Sequence, residues 1–155
     1  MPERGSTRRR RSRSTTTVSD APKPFRLLPR LGAADDHVWT GGEHGELRVL
    51  RCQDDGTWIH PAAPRCPVCL GKHLAPAATS GKGVVHAKTV NHQAWIPGYD
   101  PPYVIAIVEL DDQPGLRFTT NIVGIDPEEV RDGMRVRVTF DHHDDVWLPL
   151  FEPDA

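Results

Sequence analysis

From residue 83 onward, apolar and polar positions alternate in short runs separated by turn residues, which is the period of half-buried strands. Five strands are predicted: Val84–Val90, Tyr103–Leu110, Arg117–Val123, Arg135–Phe140 and Val146–Phe151. Tyr103–Leu110 is the most apolar and is predicted to be central. In Arg135–Phe140 the residues Val136, Val138 and Phe140 share one face. Asp111–Gly115 is turn material, and Ile125–Gly133 predicts a single helical turn with Asp126 as N-cap, Pro127 at the first position, Glu129 at the third and a glycine stop. Five strands with a short helix between the third and fourth fit a small closed or nearly closed barrel of the oligonucleotide-binding (OB) type, and the class is mainly β. Closure disposes of the edges of a sheet too small to bury them otherwise.

Upstream the period changes. Leu47 and Val49, then Trp58 and Ile59, make two short extended arms around Cys52, and residues 47–74 read as a ribbon-like knuckle. Residues 21–46 form a lead-in, extended where Pro22, Pro24 and Pro29 break it, with a weak helix around Ala33–Gly45 begun by Asp35 or Asp36. That helix carries Trp39, which is either tucked against the barrel or presented to another subunit. Residues 75–82 are predicted to be a linker, and residues 83–153 the barrel.

Charge sharpens this division. Residues 1–30 carry nine Arg/Lys against two acids, whereas residues 31–155 carry ten against nineteen. Residues 1–20 have almost no apolar side chain and a block of arginines, so they are predicted to be a disordered basic tail. The remainder is acidic, the wrong sign for a surface that grips phosphates. With 15 prolines, 13 glycines and 37% apolar residues, the composition argues against a large helical core. Three cysteines cannot close a disulfide framework, no signal-like apolar run follows the arginines, and no run is long enough to span a membrane. A reducing cytoplasm is the expected location.

The candidate chemistry lies in Arg51–Cys69, which reads RCQDDGTWIHPAAPRCPVC. Cys66 and Cys69, three positions apart in a tight turn, can share one tetrahedral zinc ion. Cys52 and Asp55 repeat that spacing, with Gly56 to close the turn, but Asp55 stands where a fourth thiolate is expected. Carboxylate oxygen can ligate zinc, although it is harder than sulfur and weakens a site built for four thiolates. Three outcomes stay open: zinc held by Cys52, Asp55, Cys66 and Cys69; a ribbon held by packing without metal; or a site recruiting His60 or His73. In the barrel, Ser80, His86, His92 and Asp100 have nothing to fix them as a catalytic set, and His142-His143 lies in the predicted acidic loop 141–145. The proline-stiffened segment Asn91–Pro102 with Tyr103 places His92, Trp95, Tyr99 and Tyr103 together as a candidate interface or ligand edge. Trp39 and Trp58 are the other candidate contacts.

The ribbon, followed by SGKGVVH, DPPYVIAIVEL, TNIVG, DGMRVRVTF and WLPLFEP, resembles the DUF35 family over roughly residues 25–153. The resemblance implies a helical lead-in, a rubredoxin-like zinc ribbon and a C-terminal OB fold, with Cys52, Cys66 and Cys69 matching metal ligands and Asp55 departing from the usual R-C-x-x-C-G. It also implies an auxiliary, non-catalytic subunit. The implied partner is a thiolase-like or lipid-transfer-protein-like enzyme, an aldolase or thiolase acting on steroid or other lipid acyl-CoA thioesters, with two copies of each chain. In such a complex the DUF35 subunit helps to shape the acyl-CoA channel. Two other functions fit less well: a single-stranded nucleic-acid-binding OB module, and a small independent acyl-CoA enzyme.

Overall fold

A computed structural model describes residues 26–32, 34–95 and 100–154. The basic tail and Tyr99 lie outside the described residues. After a short helix α1 (Asp36–Thr40) and a 3-10 turn (Gly41–His44), the chain forms β1 (Arg48–Cys52), β2 (Trp58–Ile59) and β3 (Leu74–Ala78). These make an antiparallel sheet in the order β2-β1-β3, with Leu50 opposite Ile59 and Cys52 opposite Leu74. The first half of the expected linker at 75–82 is therefore β3, and its last residue, Lys82, begins the next strand. The sequence of β3, LAPAA, has neither β-branched residues nor alternation, and β1 imposes the extended conformation by pairing along its whole length.

The other strands are β4 (Lys82–Asn91), β5 (Tyr103–Leu110), β6 (Arg117–Ile122), β7 (Arg135–His143) and β8 (Val146–Pro153), closed in the order β4-β5-β6-β8-β7. Val84 opposite Arg135 seals β4 to β7, and a register shift between Val85 and Ala87 lets the long β4 bend into both neighbours. A 3-10 turn at Pro127–Glu129 sits between β6 and β7, with the Asp126 carboxylate accepting from the Glu128 N–H, as the sequence predicts. One prediction fails at 141–145. Asp141–His143 are not loop but the end of β7, paired with Val146–Leu148, and the His142 ring stacks on Trp147 at 4.3 Å. The hydrophilic sequence hides a strand held by its partner.

Val38 of α1 and Leu47 belong to the same core as Val85, Val104, Val108, Phe118, Val136 and Phe151, so the lead-in packs on the barrel. Gly42 permits this approach. A Cβ there would lie 2.3 Å from Trp147 Cβ and 2.6 Å from Phe140 Cδ1. Gly42→Ala is expected to destabilise the chain by about 1–3 kcal/mol, read as a lower urea midpoint. The ribbon has its own core of Cys52, Ile59 and Cys66. Gln113, in the β5–β6 turn, joins the two parts: its amide oxygen accepts from the Trp58 N–H at 2.9 Å and its amide nitrogen donates to the Trp58 carbonyl at 3.1 Å. Among the described residues, no helix is long and apolar enough to cross a membrane.

Candidate metal centre and apolar surface

The ribbon brings together two turns of matching construction. In the first, the Gly56 N–H donates to the Cys52 carbonyl at 3.0 Å; in the second, the Leu70 N–H donates to the Cys66 carbonyl at 3.1 Å. Each turn aims two donors inward, and single ligand atoms of Cys52, Asp55, Cys66 and Cys69 all lie within 4.8 Å of one another. Cys52 Sγ is 3.6 Å from Cys69 Sγ, and Cys66 Sγ is 3.3 Å from Asp55 Oδ2. Two sulfurs on a tetrahedral zinc with bonds of about 2.3 Å stand about 3.8 Å apart, so the spacing fits. Asp55 Oδ1 accepts from the Thr57 N–H at 2.9 Å, which leaves Oδ2 to face the thiols. The Val68 and Gly71 N–H groups point at Cys66 Sγ and Cys69 Sγ, both at 3.4 Å.

The titration of this group also fits a cation. Bonds from the Thr57 backbone and side chain hold the Asp55 carboxyl well below the usual range. Burial pushes the Cys66 thiol up, but the Cys69 and Val68 N–H groups outweigh it and the net shift is downward. At Cys69 the Gly71 N–H pulls downward, but burial and the neighbouring Cys52, Asp55 and Cys66 push the thiol up to about 12. Asp55, Cys66 and Cys69 are thus pulled in opposite directions, and a divalent cation among the donors would remove the conflict and displace the proton from Cys69. His60 and His73 stand outside the group. His73 Nδ1 pairs with Asp54 Oδ1 at 3.0 Å, and the His60 ring stacks on Phe118 at 4.6 Å.

His60 makes the ribbon–barrel junction sensitive to acid. Burial lowers its pKa, helped by His37 and opposed by Asp35; burial likewise lowers that of His37, against Asp35 and Asp36 and with Arg48. Above the unfolded value near 6.5 neither state binds the proton, so nothing is lost. As the pH falls below that value the unfolded chain takes up protons first, and stability declines toward the lower folded pKa values. The urea midpoint is expected to fall between pH 7.5 and 5.5, and His60→Phe, which keeps a ring on Phe118, is expected to reduce that fall. An unchanged fall in the variant would remove His60 from the account.

The aromatic candidates divide. Trp39 is half-buried against the barrel core, its Nε1 donating to Asp35 Oδ2 at 3.1 Å, and with Tyr103 it lines a cleft of about 380 Å³ whose walls include Ile105, Phe118, Leu148 and Leu150. Trp95 is 71% exposed and donates from Nε1 to Asn91 Oδ1 at 2.8 Å; Asn91 stands opposite Tyr103 in the ladder. Trp58 is at the junction instead, under the Arg51 guanidinium at 4.8 Å, and His92 reaches toward Glu128 at 3.4 Å. The sequence reading passed over Ile105 and Ile107, which point outward from β5 beside Thr89, Thr119 and Asn121 and make an apolar strip, with Arg26 Nη1 donating to Asn121 Oδ1 at 3.2 Å on its border. The signal was available: in YVIAIVEL both parities are apolar, as in a strand covered on both sides. No catalytic set forms among the described residues that suggested one. Ser80 Oγ donates to Asp112, and His86 lies 4.0 Å from Glu109.

Comparison with known proteins gives two family-model matches, "ChsH2, rubredoxin-like zinc ribbon domain" at residues 39–74 and "ChsH2, C-terminal OB-fold domain" at residues 77–141. The chain is 36% identical over 142 residues to the 3-oxo-4,17-pregnadiene-20-carboxyl-CoA hydratase alpha subunit of Mycobacterium tuberculosis, covering 91% of this chain and 45% of that protein. It is 36% identical over 96 residues to a DUF35 domain-containing scaffold protein of Methanothermobacter thermautotrophicus, covering 61% of this chain and 71% of that protein. Among solved structures, a chain of the Ltp2-ChsH2(DUF35) aldolase matches with a TM-score of 0.73 and 31% identity, covering 81% of this chain and 98% of that chain. The chain thus spans about half the length of the hydratase subunit, but nearly all of the aldolase's DUF35-type chain.

Proposed function

Because the chain belongs to the DUF35 family, with a ribbon and barrel of the ChsH2 type, we propose that it is a non-catalytic accessory subunit that binds and stabilises a thiolase-superfamily enzyme. That enzyme, an aldolase or thiolase, acts on steroid or other lipid acyl-CoA thioesters, and the complex holds two copies of each chain. The observation that carries the reading is the apolar stretch on the outer face of β5, where Tyr103, Ile105 and Ile107 continue toward Trp95, bordered by Arg26, whose guanidinium is held by Asn121 and Asp141, and by the Glu109–Arg117 pair. Such apolar surface with aromatic anchors has the composition of an interface core. The adjoining cleft would complete an acyl-CoA passage once the enzyme covers it. Zinc at Cys52, Asp55, Cys66 and Cys69 would be structural: four protein donors leave no open position, so the ion fixes the ribbon without activating water.

Co-expression with a candidate thiolase-like partner, followed by native mass measurement, tests the reading. The expected result is a heteromer with two copies of each chain and one zinc per ribbon. Efficient cleavage of a β-hydroxy- or β-ketoacyl-CoA by the purified chain alone would overturn it. The identity to a hydratase alpha subunit supports a second reading, in which the enzyme partner is a hydratase, and the same experiment with a hydratase-like candidate separates the two. Nucleic-acid binding is the weaker alternative, since phosphate contact needs a basic surface. Any binding is expected to vanish when residues 1–20 are removed.

A further inference from the structure

The two ribbon turns share their closing hydrogen bonds, Gly56 N–H to the Cys52 carbonyl and Leu70 N–H to the Cys66 carbonyl, but differ in the residue that follows the second donor. The position after the second donor has a left-handed backbone in both, with φ +79° at Gly56 and φ +61° at Leu70. Glycine adopts this conformation freely, whereas a branched side chain is strained in it. No side-chain burial accompanies this conformation at Leu70: its side chain is 65% exposed, and that of Val68 nearby is 70% exposed. The backbone carrying them is fixed on both sides. Arg65 Nη1 donates to the Leu70 carbonyl at 3.0 Å, Pro67 stiffens the entry, and a Cβ on Gly71 would lie 2.6 Å from Asp54 Oδ2. An apolar pair held out into water on a backbone fixed by its own hydrogen bonds, one member in a left-handed conformation, has the features of a preorganised anchor.

Charge indicates what receives it. Residues 47–74 carry four basic and two acidic side chains, whereas residues 75–155 carry six and thirteen, so the ribbon is a basic module beside an acidic barrel. Arg65 and Lys72, both exposed, stand on either side of the tip. We infer that Val68 and Leu70 insert into an apolar socket with an acidic rim on the catalytic subunit, making the second knuckle a docking point separate from the barrel face. This rests on the accessory-subunit reading above.

The test measures the affinity of the co-expressed thiolase-like protein for the wild-type chain and for Leu70→Gly, Val68→Ser and Lys72→Glu. Leu70→Gly is expected to weaken the complex at least tenfold while leaving the metal content and raising or preserving the melting temperature of the free chain, because glycine suits φ +61°. Lys72→Glu is expected to weaken it further as salt is lowered, the reverse of the wild-type dependence. If Leu70→Gly loosens the ribbon, Leu70→Asn, which tolerates the left-handed backbone but is polar, gives the same reading. A wild-type complex that tolerates all these changes overturns the inference and leaves the accessory role standing. No wild-type complex at all sinks both. Equal weakening of oligonucleotide binding by the same variants would assign the tip to nucleic acid and overturn it as well.

Discussion

Phe151→Ala is expected to cost about 3–5 kcal/mol of stability, the range for deleting a buried phenylalanine ring. Phe151 is fully buried, lies opposite Val138 across β7, and forms with Ile122 the single ladder pair that joins β6 to β8 among the described residues. Its carbonyl accepts from the Val123 N–H at 2.8 Å, and its ring meets Phe118 at 6.4 Å between centroids. The ring fills the point where the barrel closes, so its removal leaves a cavity that the parallel seam, with so little backbone pairing, cannot collapse to fill. Urea denaturation at unchanged m-value measures the loss. A fall of less than about 1.5 kcal/mol would mean that the core does not depend on this closure.

Asp55→Cys is expected to raise zinc affinity by on the order of tenfold or more, because a softer fourth donor replaces the carboxylate in a turn that already has the right backbone. The geometry asks for little adjustment, since Oδ2 lies 3.3 Å from Cys66 Sγ and the paired turn carries cysteine at the matching place. Competition against a chromophoric chelator measures the affinity. Cobalt substitution adds an independent signature, a stronger sulfur-to-metal charge-transfer band with four thiolates than with three. Unchanged affinity and spectrum would remove residue 55 from the coordination sphere. For the native site, affinity is expected to fall as the pH falls, because binding must displace the proton that Cys69 holds up to a pKa of about 12.

The barrel was legible because its strands carry their own signal. Tyr103–Leu110 was predicted to the residue, and the Asp126 cap was read from DPEE alone. What escaped depends on partners distant in sequence. Leu74–Ala78 is a strand because β1 pairs with it, and Asp141–His143 because Val146–Leu148 do. The grouping of Cys52, Asp55, Cys66 and Cys69 was legible in their spacing, but the separation of His60 and His73 from them was not. Their positions follow from a Phe118 ring and an Asp54 carboxylate that spacing cannot place. Trp39, which the sequence left between two environments, is half-buried on the barrel, while Trp95 stays out in solvent.

The Gln113–Trp58 contact has a consequence for how the chain meets other molecules. A three-stranded sheet offers two free edges to any passing strand, and both are blocked here. On β2, the Gln113 amide occupies the hydrogen-bonding groups that Trp58 turns away from β1. On β3, Pro76 interrupts the outer edge with a residue that has no N–H to give. The neighbouring barrel, being closed, has no edges to add. Growth by strand addition, the route to fibrils and to promiscuous pairing, is shut off at the ribbon, so association is left to side chains, whose fit can discriminate one partner from another.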